Sequence, residues 1–295
     1  MRRHATCCVL VSLLFIPGSR AQPQGAAVGS PPTLHQQAAP PPADQKLGHR
    51  LHLPIWIDRM PAEVRERMQL PFGIGMNFFG SNEDYVFSSA SVSNGGHIIP
   101  SDMMKLDSLT TIQDSRTVRI DACLLPYLNV YLVGGTFSGT TRNIKASLVG
   151  MTALPLPQEI PFSGTDRGIG VTLAGGYESV FFTYDWNISW AKVDLATGHV
   201  PTTTQGPRIG VVSYRKNAQI DFYVGGFKED ISGNTMGSIS FPDFGEFDYN
   251  VTVKPESAWN YVVGADVDMR KHCQISVEHG FGKRTHNMLS YTARF

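Results

Sequence analysis

The chain has 295 residues with 25 basic and 25 acidic side chains, so no net field points to nucleic acid or to an acidic substrate. Only Cys123 and Cys273 lie beyond the N-terminal segment that holds Cys7 and Cys8, which excludes a disulfide framework and leaves a single bond open. No later stretch approaches about 18 consecutive apolar residues, so the chain would enter a membrane as strands rather than helices.

The first 21 residues carry Arg2 and Arg3, an apolar run from Cys7 to Ile16, and small residues at Ser19 and Ala21. This is the pattern of a secretory signal peptide cut after Ala21. Residues 22–48 are rich in Pro, Ala and Gln and nearly free of large apolar groups, the composition of an extended leader that cannot bury enough surface to order itself. Residues 49–69 form a lead-in segment, in which "PAEVRERM" places Pro61 at a first helical position and predicts a short helix.

From residue 70 onward two-residue alternation dominates. Phe72, Ile74, Met76 and Phe78 alternate with Gly73, Gly75 and Asn77. Val118, Ile120 and Ala122 alternate with Arg119, Asp121 and Cys123. Phe182, Tyr184, Trp186, Ile188 and Trp190 alternate with Thr183, Asp185, Asn187 and Ser189. Ile220, Phe222 and Val224 oppose Gln219, Asp221 and Tyr223. Tyr261, Val263, Ala265 and Val267 oppose Gly264, Asp266 and Asp268. Ile275 and Val277 oppose Gln274, Ser276 and Glu278. The last run sets Leu289, Tyr291, Ala293 and Phe295 against Ser290, Thr292 and Arg294. One face is apolar and aromatic while the other carries Asp, Arg, Asn, Ser and Gly.

Strands of about 9 to 12 residues with aromatics towards their ends match the span and girdles of a membrane barrel. Short links at 124–129, 175–180, 214–218 and 269–273 alternate with long ones at 93–115, 139–166, 194–205 and 229–257. The expected fold is therefore an all-β transmembrane antiparallel β-barrel of about ten strands over residues 70–295. Twelve is the alternative if "TMGSISFPDFGEFDYNVTVKPES" adds two membrane strands. Pro242, Asp243, Gly245 and Glu246 argue against that, being poor lipid-facing residues.

With these strands placed, the sequence resembles the small Gram-negative outer-membrane β-barrel proteins of the OmpA-like barrel class. The residues that carry the resemblance are "LPFGIGMNFF", "IDACLLPYLNVYLVGGTFSG", "GIGVTLAGGYES", "AWNYVVGADVDMRKHCQISVEHGFGKR" and the terminal "YTARF". It implies an outer-membrane location, contact with outer-membrane lipid, and recognition by the barrel-assembly machinery through Tyr291 and Phe295. Ala293 departs from the aromatic that many such barrels carry there. The resemblance brings no substrate.

The inward charged residues are Arg119, Asp121, Asp185, Arg208, Asp221, Asp266, Asp268, Glu278 and Arg294. In a narrow lumen they either pair into a packed polar core or line a path for small polar solutes. Catalysis has two candidate pairs, His286 with Ser290 and Asp266 with Asp268, each sharing a face, but no third member and no nucleophile elbow accompanies either. His49 and His52 are too few for a metal site, and no cofactor is expected. Gly73 and Gly75, like Gly168 and Gly170, open no helix of a βαβ unit, so they are read as room for neighbouring lumen side chains. The function expected is a narrow transport or envelope-structural component without catalytic activity. The alternatives are an outer-membrane lipid- or peptide-modifying enzyme and a soluble, secreted lipocalin-like binding protein.

Overall fold

The computed structural model describes residues 53–57, 68–94, 97–99, 104–106, 108–148, 159–215, 218–231, 235–241, 245–269 and 272–295. The expected signal peptide, leader and Pro61 helix, and His49 and His52, lie outside them.

The strands, in chain order, are β1 (Phe72–Asn94), β2 (His97–Ile99), β3 (Met104–Leu106), β4 (Ser108–Leu125), β5 (Leu128–Arg142), β6 (Ala146–Leu148), β7 (Glu159–Tyr177) and β8 (Val180–Val193). They continue as β9 (Val200–Tyr214), β10 (Ala218–Ile231), β11 (Thr235–Phe241), β12 (Gly245–Pro255), β13 (Trp259–Met269), β14 (Cys273–Phe281) and β15 (Arg284–Arg294). Ten of them, in the order β1-β15-β14-β13-β10-β9-β8-β7-β5-β4, form an antiparallel ring that closes where β1 pairs with β4. Closure leaves no bare edge in the wall, the condition for strands to sit in hydrocarbon.

The segment that could have raised the count to twelve is an added hairpin. β1 pairs with β15 from Gly73↔Arg294 up to Glu83↔Arg284, and above that point it pairs with β12 from Tyr85↔Pro255 to Asn94↔Phe247. β13, β14 and β15 are 11, 9 and 11 residues long, whereas β1 has 23. The hairpin of β11 and β12 thus covers the edge of β1 that the short strands leave bare.

The expected strand length of 9 to 12 residues holds on that short side and fails opposite it, where β5 has 15 residues and β7 has 19. Much of what reads as long link at 93–115, 139–166 and 229–257 is strand that continues past the apolar belt. The link between β14 and β15 at the same end is only Gly282 and Lys283.

The outer face carries the exposed apolar side chains: Ile74 and Met76 on β1, Ile120 on β4, Leu132 on β5, Ile169 on β7, Val224 on β10 and Leu289 on β15. Trp190, Trp259, Tyr261 and Phe281 ring this belt towards the long-link end, and Phe72, Tyr177 and Phe295 towards the turn end. Such a surface has no partner in water and matches hydrocarbon flanked by two aromatic girdles. Cys123 and Cys273 are both free thiols, so the bond left open by their number is not formed.

Candidate functional site

The interior encloses a cavity of about 1550 Å³. Arg119 and Asp121 on β4, Asp185 on β8, Arg208 on β9, Asp221 on β10, Asp266 and Asp268 on β13, Glu278 on β14 and Arg294 on β15 all border it. Alternation puts them there: each is out of phase with the lipid-facing residues of its own strand.

These residues separate into two bonded groups and an acidic patch. In the first group, Asp121 accepts hydrogen bonds from Arg294 Nη1 at 3.0 Å and Asn129 Nδ2 at 2.6 Å. The Arg119 guanidinium lies 3.6 Å from the Tyr131 ring centroid, and its Nη2 donates to Asn129 Oδ1 at 3.2 Å. Asp185 accepts from Tyr131 Oη at 2.7 Å and Thr172 Oγ1 at 2.6 Å. In the second group, Glu278 accepts from Arg208 Nε at 2.8 Å and Tyr223 Oη at 3.1 Å, and lies 3.3 Å from His286 Nε2. Asp221 faces Asp266 across the β10–β13 register, with Asp268 the next inward residue on β13 and Gln219 donating to Asp221 at 2.9 Å. Charges taken from water into such a site hold their ionised form only where geometry and extra donors compensate, and the two groups supply both.

A further cluster escaped the sequence reading. Arg284, nearly fully buried, pairs with Glu83 at 3.2 Å and with Glu229, while Tyr85 Oη donates to Glu83 at 3.0 Å. Glu83 and Arg284 sit in polar runs that look like link in the sequence; only the Glu83↔Arg284 register brings them together.

Glycine makes room for the inward rings. Tyr131 lies over Gly170, Tyr223 over Gly264 and His286 over Gly280, each on the residue directly across the ladder, so that a Cβ on any of these glycines would overlap the ring. At Gly73 the Asp121 carboxylate occupies the same space, and at Gly75 the Thr292 hydroxyl does.

Above the charged belt the cavity lining gains apolar side chains, Phe87 on β1, Phe137 on β5, Ile160 and Phe162 on β7, Val193 on β8, and Val251 and Val253 on β12, beside polar ones such as Gln113, Ser115 and Thr141. The signal that could have found them is the same period of two, carried on through the runs that read as links.

His286 and Ser290 share a face without meeting: Ser290 Oγ donates to Asn77 Oδ1 at 2.7 Å, and His286 turns to Glu278 between the rings of Phe79 and Phe227. Among the described residues no group of His, Cys, Asp and Glu is arranged to hold a metal ion. Tyr291 and Phe295 point outward, and Phe295 stacks on Phe72 with ring centroids 6.2 Å apart.

These features define a class: a closed ten-stranded antiparallel barrel, apolar outside and charged within at the level of its belt. No family model and no curated protein matches the sequence. Among solved structures, the chain is similar to the outer membrane protein OprG from Pseudomonas aeruginosa, with 13% identity over 77% of this chain and 98% of that one at a TM-score of 0.40. It is also similar to the translocator domain of the autotransporter NalP from Neisseria meningitidis, with 11% identity over 78% of this chain and 90% of that one at 0.40. An outer membrane channel from Pseudomonas putida F1 follows, with 9% identity over 80% and 99% at 0.35.

Proposed function

We propose that the chain is an outer-membrane β-barrel that passes small polar solutes through a narrow, charge-lined lumen. The observation that carries this reading is the continuity of the cavity: its lining runs from Tyr127 and Glu178 in the turns at one end to Ile144 and Leu195 in the links at the other. The charged belt lies between them, and groups of that kind select by sign and size in a narrow pore. The outward apolar belt and its girdles support the membrane setting, and the signal peptide expected over residues 1–21 supports export. In this reading the barrel contacts outer-membrane lipid and is placed by the barrel-assembly machinery. Its likeness to the OmpA-like class is one of architecture, with ten strands against about eight in the small barrels of that type. This reading assigns no catalysis to His286 and Ser290: Ser290 is held by Asn77 and His286 by Glu278, so neither is poised to activate the other.

The test is fractionation followed by planar-bilayer recording. The protein is expected in detergent-extractable outer membrane, with heat-modifiable gel migration and single-channel conductance in KCl. Recovery in the soluble fraction overturns the membrane reading. Correct insertion without conductance overturns transport and leaves an envelope-structural role.

A further inference from the structure

The polarity of the alternation reverses along the strands. On β7 at the level of the belt, Ile169 and Leu173 point outward and Thr172 inward; nearer its start, Ile160 and Phe162 point inward while Glu159 and Ser163 are exposed outside. On β5 the exposed Leu132 gives way to Ser138 and Arg142 outside, with Phe137 buried inside. On β12, Val251 and Val253 line the cavity while Lys254 is exposed. A wall that is polar outside stands in water rather than lipid, so the apolar inner face of this upper stretch is not a membrane surface. It borders open cavity rather than a filled core, and that is the construction of a water-soluble barrel that holds an apolar ligand.

Polar groups share this lining, Gln113, Ser115 and Thr141 among them, and on β7 it carries a carboxylate. Asp166 is on the same face of β7 as Phe162, four residues towards the belt, and it borders the cavity. Its Oδ1 is buried and accepts no hydrogen bond among the described residues. Oδ1 is closed off by protein, so a donor in the cavity meets this carboxylate at its other oxygen.

We infer that the upper chamber binds small molecules with an apolar body and a single N–H or O–H donor, the body against Phe137, Phe162, Val193 and Val251 and the donor on Asp166. The inference rests on the channel reading for what the chamber feeds, since its floor opens onto the charged belt. Phe137 and Phe162 are 6.3 Å apart between ring centroids at 55°, a tilted pair that offers an edge and a face to a planar guest.

The probe is indole, which has one apolar ring system and one N–H. In equilibrium dialysis against the protein in lipid nanodiscs, with empty nanodiscs as blank, indole is expected to bind saturably at one equivalent. Val251→Asp, which puts a charge into the apolar lining, and Asp166→Ala, which removes the acceptor, are each expected to weaken binding about tenfold. Heat-modifiable migration checks that both variants are assembled. Indole binding no greater than the blank, or binding by both assembled variants equal to wild type, overturns the inference. Conductance without indole binding removes the chamber and keeps the channel. Indole binding without conductance does the reverse.

Discussion

Arg294 on β15 and Asp121 on β4 meet across β1, with Nη1 and Oδ1 3.0 Å apart above Gly73, which pairs with both residues. The contact joins the two neighbours of the first strand, so it spans the seam at which the ring closes. Asp121 is nearly fully buried and keeps Asn129 if the arginine is lost. Arg294→Ala should therefore cost about 2–3 kcal/mol, towards the lower end for a broken buried pair. Gly73→Val should cost more, because its side chain would fill the space the Asp121 carboxylate occupies. Unfolding in urea from lipid vesicles reads both; a Gly73→Val barrel as stable as wild type would show that the carboxylate moves aside freely.

His286 is wholly buried, set on Gly280 and flanked by the Phe79 and Phe227 rings at centroid distances of 5.2 and 5.5 Å. Gly280→Ala forces the imidazole away from Glu278 and should destabilise the barrel by about 2 kcal/mol. His286→Ala leaves a void between the two rings and should cost a similar amount. Because the first change harms only through the second side chain, the double variant should cost clearly less than the sum. A double-mutant cycle on urea midpoints measures this, and simple additivity would separate the two positions.

The lower half of the wall is legible in the sequence because lipid imposes one rule on every strand: apolar out, small or polar in. The run from Phe182 to Trp190 and that from Phe72 to Phe78 obey it and fall inside β8 and β1. Above the belt the rule inverts, so a reader tracking apolar outward faces stops near Phe78, although β1 continues to Asn94. Ile160 and Phe162 are in phase with Thr172, not with Ile169, and therefore look like breaks in the pattern. The inward position of Arg208 and Glu278 follows from alternation alone. That they bond to each other does not, since β9 and β14 are separated in the wall by β10 and β13, and only the curvature of the closed ring brings them within 2.8 Å.

At the long-link end, the Asp194 carboxylate accepts the Ser163 backbone N–H at 3.0 Å and its hydroxyl at 2.7 Å, tying the link after β8 to β7. These hydrogen bonds hold its pKa below the usual aspartate value. A depressed folded-state pKa contributes order that is present above the unfolded value near 4 and is lost as pH falls through the folded one. Amide exchange at Ser163 and Leu195 should therefore quicken below about pH 4 while the β14–β15 ladder stays protected. Asp194→Ala should show the fast exchange already at neutral pH, and unchanged protection in that variant would assign the link's order elsewhere.

The charged belt is unequal in sign. Asp121, Asp185, Asp221, Asp266, Asp268 and Glu278 are six carboxylates, against the three guanidinium groups of Arg119, Arg208 and Arg294. Arg208 is engaged by Glu278 and Arg294 by Asp121, so the basic charge is already matched, while Asp221, Asp266 and Asp268 make no ion pair among the described residues. Gln219 serves Asp221, but Oδ1 of both Asp221 and Asp268 is buried without a partner. A cation passing the patch is attracted by the carboxylates that no guanidinium matches, and an anion meets repulsion in a wall of low dielectric. Under a KCl gradient the reversal potential should show K⁺ favoured over Cl⁻ by a factor of about five or more at low salt, less as ionic strength rises. Asp221→Asn, Asp266→Asn and Asp268→Asn together should carry the reversal potential towards zero with little change in unfolding midpoint, because amides of the same shape fill the same space. If the triple variant keeps the selectivity of the wild type, the sign preference arises elsewhere in the lumen, and the Arg284 cluster with Glu83 and Glu229 becomes the place to test.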